Sequence, residues 1–592
     1  MCYNIRDWGI SIMRLQIIKS KNAASLYVIK SIRVNGKNTS KVVEKLGTMA
    51  DLSKLHKDPV AWAKSYIDEL NQQEKDETRD VIVKYSRSKR LEVGTQHFFN
   101  GGYLFLQQLY HELGLNCICK DISDRYKFTF NLDAILSRLV YGRIIFPASK
   151  LGTFQLAAKF LEQPDFDIQH IYRALEVIAN ETDFIQSELY KNSLAVSKRN
   201  DKVLYYDCTN YFFEIEQAEG LKQYGPSKEH RPSPIVEMGL FMDGDGIPLA
   251  FSIHSGNTNE QTTLKPLEET ILKDFSLSKF IVCTDAGLSS TDNRKFNNKQ
   301  NRSFITTQSI KKLRKHLKEW ALDPTEWHMT GNPRDTKGKE ILFDITQLEN
   351  TQEDAEKHQN ITYYKERWIK EDGLEQKLIV TFSLKYKNYQ RHIRSNQIER
   401  AERLISSRPK DVKKHNQNDY KRFVKSTGVT ADGEIADKNL YEINTDAITA
   451  EEAYDGFYAV CTSLDDDASE ITKINHNRWE IEECFRIMKT DFKARPVYLK
   501  RDDRIKAHFT TCFLALTLYR YLEKKLSSKF TSSIIIQGLK NMNFYSISGE
   551  GYIPTYTRTD FTDKLHEAFG FHTDYQIVSE RQMKKIFRDT KR

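Results

Sequence analysis

Hydrophobic and polar positions change period several times along the chain. Between 14 and 48 the pattern is strand-like: Leu26-Tyr27-Val28-Ile29 and Ser31-Ile32-Arg33-Val34 lead to Asn35-Gly36, a hairpin signal, and Ser40-Lys41-Val42-Val43 returns. From about 51 to 77 the chain turns helical and highly charged. Residues 97–200 keep a helical period, and Pro147-Ala148-Ser149-Lys150 breaks it midway and starts a new helix. After 200 the period falls to two. Lys202-Val203-Leu204-Tyr205-Tyr206-Asp207 predicts a strand ending in an acid. Two apolar runs, 235–242 and 247–251, flank Asp243-Gly244-Asp245-Gly246 as an antiparallel hairpin. A helical phrase (263–272) precedes a second strand ending in an acid, Phe280-Ile281-Val282-Cys283-Thr284-Asp285, and then a strand at 303–307. Charged helices and short strands fill 311–455. Strand character resumes at 456–461, followed by a helix-like run over 474–492 and an amphipathic helix over 505–526 that carries His508.

Those periods predict an α/β chain with six parts: an N-terminal β-hairpin region (1–50), a helical region (51–200), a core in two parts (201–310 and 456–530), an inserted α+β domain (311–455) and a C-terminal region (531–592). A three-strand meander, a crossover helix and a fourth strand set the fourth beside the first. Asp207 and Asp285 then become neighbours. In the 474–492 run, at about 100° per residue, Arg478, Glu482 and Lys489 fall within roughly 40° of one another. Ile474, Ile481, Cys484, Met488 and Phe492 form an apolar stripe beside them. If that stripe packs on the same sheet, Glu482 faces the two aspartates. Three carboxylates of this kind can hold two Mg²⁺ or Mn²⁺ ions roughly 3.5–4 Å apart for work on a phosphodiester. Each acid also has a plainer reading. A strand-end Asp is commonly a turn or cap residue, and Glu482 is a surface partner of Arg478 at i,i+4. His508 reads as a core histidine.

The 592 residues are too many for one core, and 39% hydrophobic with 11% aromatic residues excludes a disordered chain. Eight cysteines without a CxxC pair exclude a disulfide framework and a zinc site, and imply a reducing compartment. No segment approaches the ~18 apolar residues of a membrane span. The N-terminus lacks a signal peptide's apolar core, and Met13 opens a more strand-like phrase than Met1, so the first twelve residues read as an extension. Charge changes the picture through its placement. The whole net +9 is accounted for by residues 385–425, with thirteen Lys/Arg against four Asp/Glu. This stripe, which includes Arg391, Arg394, Lys413 and Lys414, favours a polyanion partner, though for an isolated charge run a solvated surface is the favoured reading.

Arg478-x3-Glu482-x6-Lys489 resembles most of the Tyr-x2-Arg-x3-Glu-x6-Lys signature of bacterial DDE transposases of the insertion-sequence-four group. Tyr206-Asp207, Gly256-Asn257-Thr258 and Thr284-Asp285-Ala286-Gly287 look like that group's surroundings of its two aspartates. The resemblance covers about 200–525. It implies an RNase H-like mixed sheet interrupted by an insertion domain, with Asp207, Asp285 and Glu482 as metal-binding catalytic residues for two Mg²⁺ or Mn²⁺ ions. It further implies DNA contacts by Arg478, Lys489, Trp479 and the basic insertion, cut-and-paste transposition of double-stranded DNA, a homodimer on paired ends, and a location at the bacterial nucleoid. Asn475 stands where the signature has tyrosine, and an asparagine can still donate to a phosphate. Two rivals share these acids: an RNase H-like nuclease or resolvase, and an inactive DNA-binding derivative.

Overall fold

The computed structural model describes residues 13–19, 24–34, 37–78, 81–83, 86–299, 301–331, 333–334, 338–407, 418–429 and 438–592. The chain forms two compact units: residues 1–97 with 545–554 and 574–585, and residues 98–544 with 555–573 and 586–592. In the first unit, β1 (Met13–Lys19), β2 (Ala24–Val34) and β3 (Lys37–Thr48) make an antiparallel sheet in that order. The pairing of Val34 with Lys37 brackets the expected Asn35-Gly36 turn, which lies outside the described residues. Helices α1 (Met49–Leu55) and α2 (Pro59–Thr78) cover this sheet through Leu26, Leu52 and Ala63 on one contact and Met13, Val28 and Ile67 on another.

The second unit starts with β4 (Phe98–Asn100) and six helices: α3 (Tyr103–Glu112), α4 (Leu115–Arg125), α5 (Leu132–Ile145), α6 (Lys150–Ala157), α7 (Ile168–Asn180) and α8 (Thr182–Val196). The break at Pro147 separates α5 from α6, where the Ser149 hydroxyl caps the Gly152 N–H at 3.1 Å. Then come β5 (Val203–Phe212), β6 (Ile235–Asp243), β7 (Pro248–Ser255), α9 (Leu264–Asp274), β8 (Phe280–Thr284), α10 (Thr291–Phe296) and β9 (Arg302–Thr307). After α11 (Lys315–Leu322) the chain adds β10 (His328–Met329), α12 (Gln352–His358), β11 (Tyr363–Glu371), β12 (Leu374–Phe382) and the long α13 (Leu384–Ser406). A small ribbon of β13 (Val424–Val429) and β14 (Lys438–Ile443), then α14 (Thr445–Glu452), lead to β15 (Phe457–Thr462).

Nine of these strands build one mixed sheet, in the order β10-β11-β12-β15-β9-β8-β5-β6-β7. The α9 crossover returns β8 alongside β5 in parallel, as the meander-plus-crossover reading requires. Residues 328–382, inside the stretch expected as an insertion, supply three strands of this same sheet, and Leu378 pairs with Cys461 across β12 and β15. Alternation sorts β5 cleanly. Leu204, Tyr206 and Cys208 pack with Leu264, Leu267 and Ile271 of α9, whereas the Tyr205 hydroxyl reaches the opposite side and donates to the Ile474 carbonyl at 2.9 Å.

Three local expectations need correcting. Residues 474–492 are not one helix: α15 (Ala468–His476) ends, a turn intervenes, α16 (Trp479–Arg486) begins, and a π-helical turn spans Ile487–Asp491. Asp207 does not end its strand, because β5 runs on to Phe212. The helix over 505–526, α17 (Asp502–Lys525), is not amphipathic, since Ile505, Phe509 and Cys512 are buried along with Ala507, Thr511 and Leu518 around its circumference. It is a central core helix, and its polar threonines satisfy themselves by bonding back to carbonyls four residues earlier.

Candidate active site

Register brings the two aspartates together. Val203, Leu204 and Tyr205 of β5 pair in parallel with Ile281, Val282 and Cys283 of β8. Continued two residues, that register would bring Asp207, on the pleat shared with Tyr205 and away from α9, level with Asp285, and the two carboxylates are near enough that the charge of Asp285 acts on Asp207. Each carboxylate is anchored by one backbone amide: Cys208 N–H donates to Asp207 Oδ1 at 2.8 Å, and Leu288 N–H to Asp285 Oδ1 at 3.0 Å. Gly287 keeps the rim open, because a Cβ there would stand 3.3 Å from Asp285 Oδ2. Burial pushes the Asp207 carboxyl up to about 6, with Lys228 working against the rise and Asp285 adding to it.

The same face carries α16. Ile481, Cys484 and Met488 are fully buried, and Cys484 and Met488 meet Met242 and the Tyr211 hydroxyl. This seats the predicted apolar stripe on β5. Arg478 immediately precedes α16, makes no capping bond to it, and pairs with Glu482 Oε1 at 3.1 Å. Burial alone would lower its pKa, but Asp207, Glu482, Tyr458 and Asp285 outweigh that and raise it. One guanidinium therefore faces all three acids, and its Nε is buried without a partner. The acids are not equally gathered: Glu482 is 59% exposed and paired to Arg478, and the three carboxylates do not all lie within 4.8 Å of one another. Lys489, in the π-helical turn, sits 3.6 Å from Glu229 and over the Tyr211 ring. Burial and the nearby Lys228 charge push it down to about 8.

Asn475 is buried. Its amide donates to the Tyr458 hydroxyl at 2.9 Å and accepts from the Cys283 thiol. Trp479, by contrast, is 53% exposed. It lines a cleft of about 630 Å³ with Tyr386, Tyr389, Tyr458, Arg478 and Glu482. His508 is a core histidine, as expected, bonded to the Ala494 carbonyl.

Sequence reasoning missed a group of charges on the other flank of Asp207. Lys228 donates to the Cys208 carbonyl and pairs with Glu260 at 3.0 Å. Glu237 is buried in β6, and burial together with Glu260 pushes it up to about 8. A carboxylate inside the apolar run Ile235-Val236-Glu237-Met238 was the available signal. Lys228, in a loop between Pro226 and His230, offered none.

The basic stripe is divided. Arg391 is 47% exposed and 3.7 Å from Glu349. Arg394 is turned inward, donating through both terminal nitrogens to Asp455, which is also buried. Arg422 is held by Glu451. Lys413 and Lys414 lie outside the described residues. All seven described cysteines are free thiols, and no described helix is long and apolar enough to cross a membrane.

The family described as "Transposase DDE domain" matches residues 213–376 and 372–518, over half of the chain. Asp285 and Glu482 fall within the match, and Asp207 lies six residues before it. Among solved structures the chain is similar to one described as the piggyBac transposase synaptic complex with hairpin DNA, at 8% identity and a TM-score of 0.35, covering 83% of this chain and 87% of that one. No curated protein matches the chain.

Proposed function

The chain belongs to the transposase DDE-domain family, and from that premise we propose that it cuts DNA at the ends of an insertion sequence and transfers the freed 3′ ends to new DNA. We place it in the insertion-sequence-four group, with its sheet read as an RNase H-like core. The observation that carries this is the β5–β8 register, which sets Asp207 beside Asp285 on the face where α16 presents Arg478 and Glu482.

The donor set fits a hard divalent ion such as Mg²⁺ or Mn²⁺: all-oxygen ligands, two of them crowded enough that burial and mutual repulsion keep Asp207 near a pKa of about 6. Asp207, Asp285 and Glu482 would hold two such ions, which when bound supply an activated water or 3′-hydroxyl and neutralise the leaving oxygen. In this reading Glu482, more than half exposed, would leave Arg478 to join the aspartates. Arg478 then loses one acid partner and is released toward a phosphate. Lys489, kept near its titration point by burial, regains full charge beside a phosphodiester. Trp479 offers an exposed ring to a base or sugar. Asn475 holds the Tyr458 hydroxyl in place and is not itself free to contact DNA. Arg391, Lys413 and Lys414 would lie along the duplex backbone, whereas Arg394 ties the middle of α13 to Asp455. A homodimer on paired ends at the nucleoid completes the reading.

The test is strand joining. DNA flanking the gene, supplied with pre-cleaved 3′-hydroxyl ends and Mg²⁺, is expected to yield joined product. Cleavage without joining would place the chain among structure-specific nucleases or resolvases, and neither activity would mark an inactive DNA-binding derivative.

A further inference from the structure

A second concave site in the same unit contains a buried ammonium that lacks a partner. Around the α5–α6 break, a pocket of about 270 Å³ is lined by Arg143, Ser149, Lys150, Lys493, Arg495 and His508, among others. It shares no lining residue with the acidic site. Among the described residues that line it there are four Lys or Arg side chains and no carboxylate.

Two of those cations are deeply buried. Lys150 is 5% exposed, and its Nζ has no hydrogen-bond partner. Arg143, also 5% exposed, spends its terminal nitrogens on the carbonyls of Phe492, Lys493 and Ala148, and its Nε has no partner. His508 adds no charge of its own, since burial and the neighbouring Lys150 and Arg143 hold it neutral. An ammonium removed from water without a counter-charge is costly. Here that cost appears as a Lys150 pKa pushed down to about 7 by burial and then by Arg143. The first turn of α6 opens onto the same pocket through Ser149, Lys150 and Leu151, adding the positive end of a helix. At the rim Arg495 is already paired with Glu229, but no carboxylate lines the pocket beside the buried Lys150 and Arg143, and the partner they lack is an anion.

We infer that this pocket is a phosphate-binding site, taking one phosphate group on Lys150 Nζ and Arg143 Nε, with the α6 first turn behind it and Lys493 and Arg495 at the rim. The phosphate can come from a DNA backbone or from inorganic phosphate in solution. The inference does not rest on transposase activity.

Lys150→Met tests it, because it removes the ammonium without removing any hydrogen bond. Thermal unfolding of the full chain is measured in sodium phosphate and in sodium chloride at matched ionic strength. In chloride, Lys150→Met is expected to melt at or above the wild-type temperature. In phosphate, the wild type gains stability and the variant does not. A phosphate-dependent gain of equal size in both proteins would overturn the inference. Calorimetric titration of the wild type with inorganic phosphate requires no variant: one saturable site at roughly millimolar Kd is expected, and no saturable uptake would overturn the inference. Fluorescence anisotropy with a duplex at several salt concentrations separates the sources. If the ligand is a DNA phosphate, Lys150→Met binds about tenfold more weakly and the salt slope drops by about 1. If the slope is unchanged while the phosphate-dependent gain is lost, free phosphate is the ligand.

Discussion

The face of α16 and the face of α13 both read as ladders of charge, yet the structure uses them oppositely. On α13 and its surroundings, the cations that make the segment so basic are largely matched: Arg394 by Asp455, Arg422 by Glu451, Lys387 and Arg391 by Glu349. On α16, one half-buried guanidinium faces three acids. A charge count therefore overstates how much of the basic stripe is available to a polyanion. It also understates how much unbalanced charge is concentrated around Asp207, where the sequence is close to neutral. Unbalanced charge in a half-buried place is the better mark of a site, because the fold has to hold it against its own electrostatics.

The largest effect expected from this contrast is at the acids. Asp207→Asn or Asp285→Asn should lower Mg²⁺-dependent cleavage by about a thousandfold or more, ~4 kcal/mol of barrier, with DNA binding kept in a mobility-shift assay. Asp207→Asn should also melt a few degrees higher than wild type at pH 7 in chelator. The sign follows from linkage: the folded pKa of about 6 lies above the ordinary value of 3.8, so the folded state holds its proton more tightly and stability falls as pH rises from about 4 to 6. The amide escapes that loss. Equal melting temperatures would mean that the acidic site is not strained.

Next in size is the inward half of the stripe. Arg394→Ala leaves Asp455 buried and uncompensated, and should cost about 3–5 kcal/mol of stability in chemical denaturation. Any loss of DNA affinity should disappear once the folded fraction is corrected for. A folded Arg394→Ala chain with wild-type stability and weak DNA binding would reverse the assignment. Smaller is the pH profile of kcat/KM for cleavage, which should rise through about pH 6 as Asp207 ionises and fall above about pH 8 as Lys489 loses its proton. Raising Mg²⁺ should move the lower limb to lower pH. Smallest is Arg391→Ala, on the exposed half: stability within about 0.5 kcal/mol of wild type, and a salt slope for duplex binding reduced by about 1.

Much of the central sheet was legible because its strands have a clean period of two and its crossover obeys a simple chain-order rule. That is enough to make Asp207 and Asp285 neighbours from the sequence alone. The strand boundary at Asp207 was misread because an acid in a run of apolar residues looks like an ending. In fact β5 continues through Cys208-Thr209-Asn210, where polar side chains find partners inside the fold. The 474–492 run kept its apolar stripe but not its continuity. The turn at Asn477-Arg478 and the π-helical turn at Lys489 leave the period of Ile481, Cys484 and Met488 nearly intact, so periodicity alone could not reveal them. The Lys228–Glu260–Glu237 group was invisible because it joins a loop, a short 3-10 turn and a strand that no sequence period relates. The pairing of Arg394 with Asp455 was hidden for the same reason, and no count of charges along the chain separates it from Arg391.

Glu482 is the acid on which the three-carboxylate site depends most, since it is the one tied to a cation and turned toward solvent. Mg²⁺-dependent cleavage of DNA carrying the element's ends should be measured for Glu482→Gln beside the wild type, with DNA binding monitored in the same samples. Loss of cleavage by about a thousandfold with binding intact is the expected result; full cleavage by Glu482→Gln would reduce Glu482 to a surface partner of Arg478 and contradict the three-acid site.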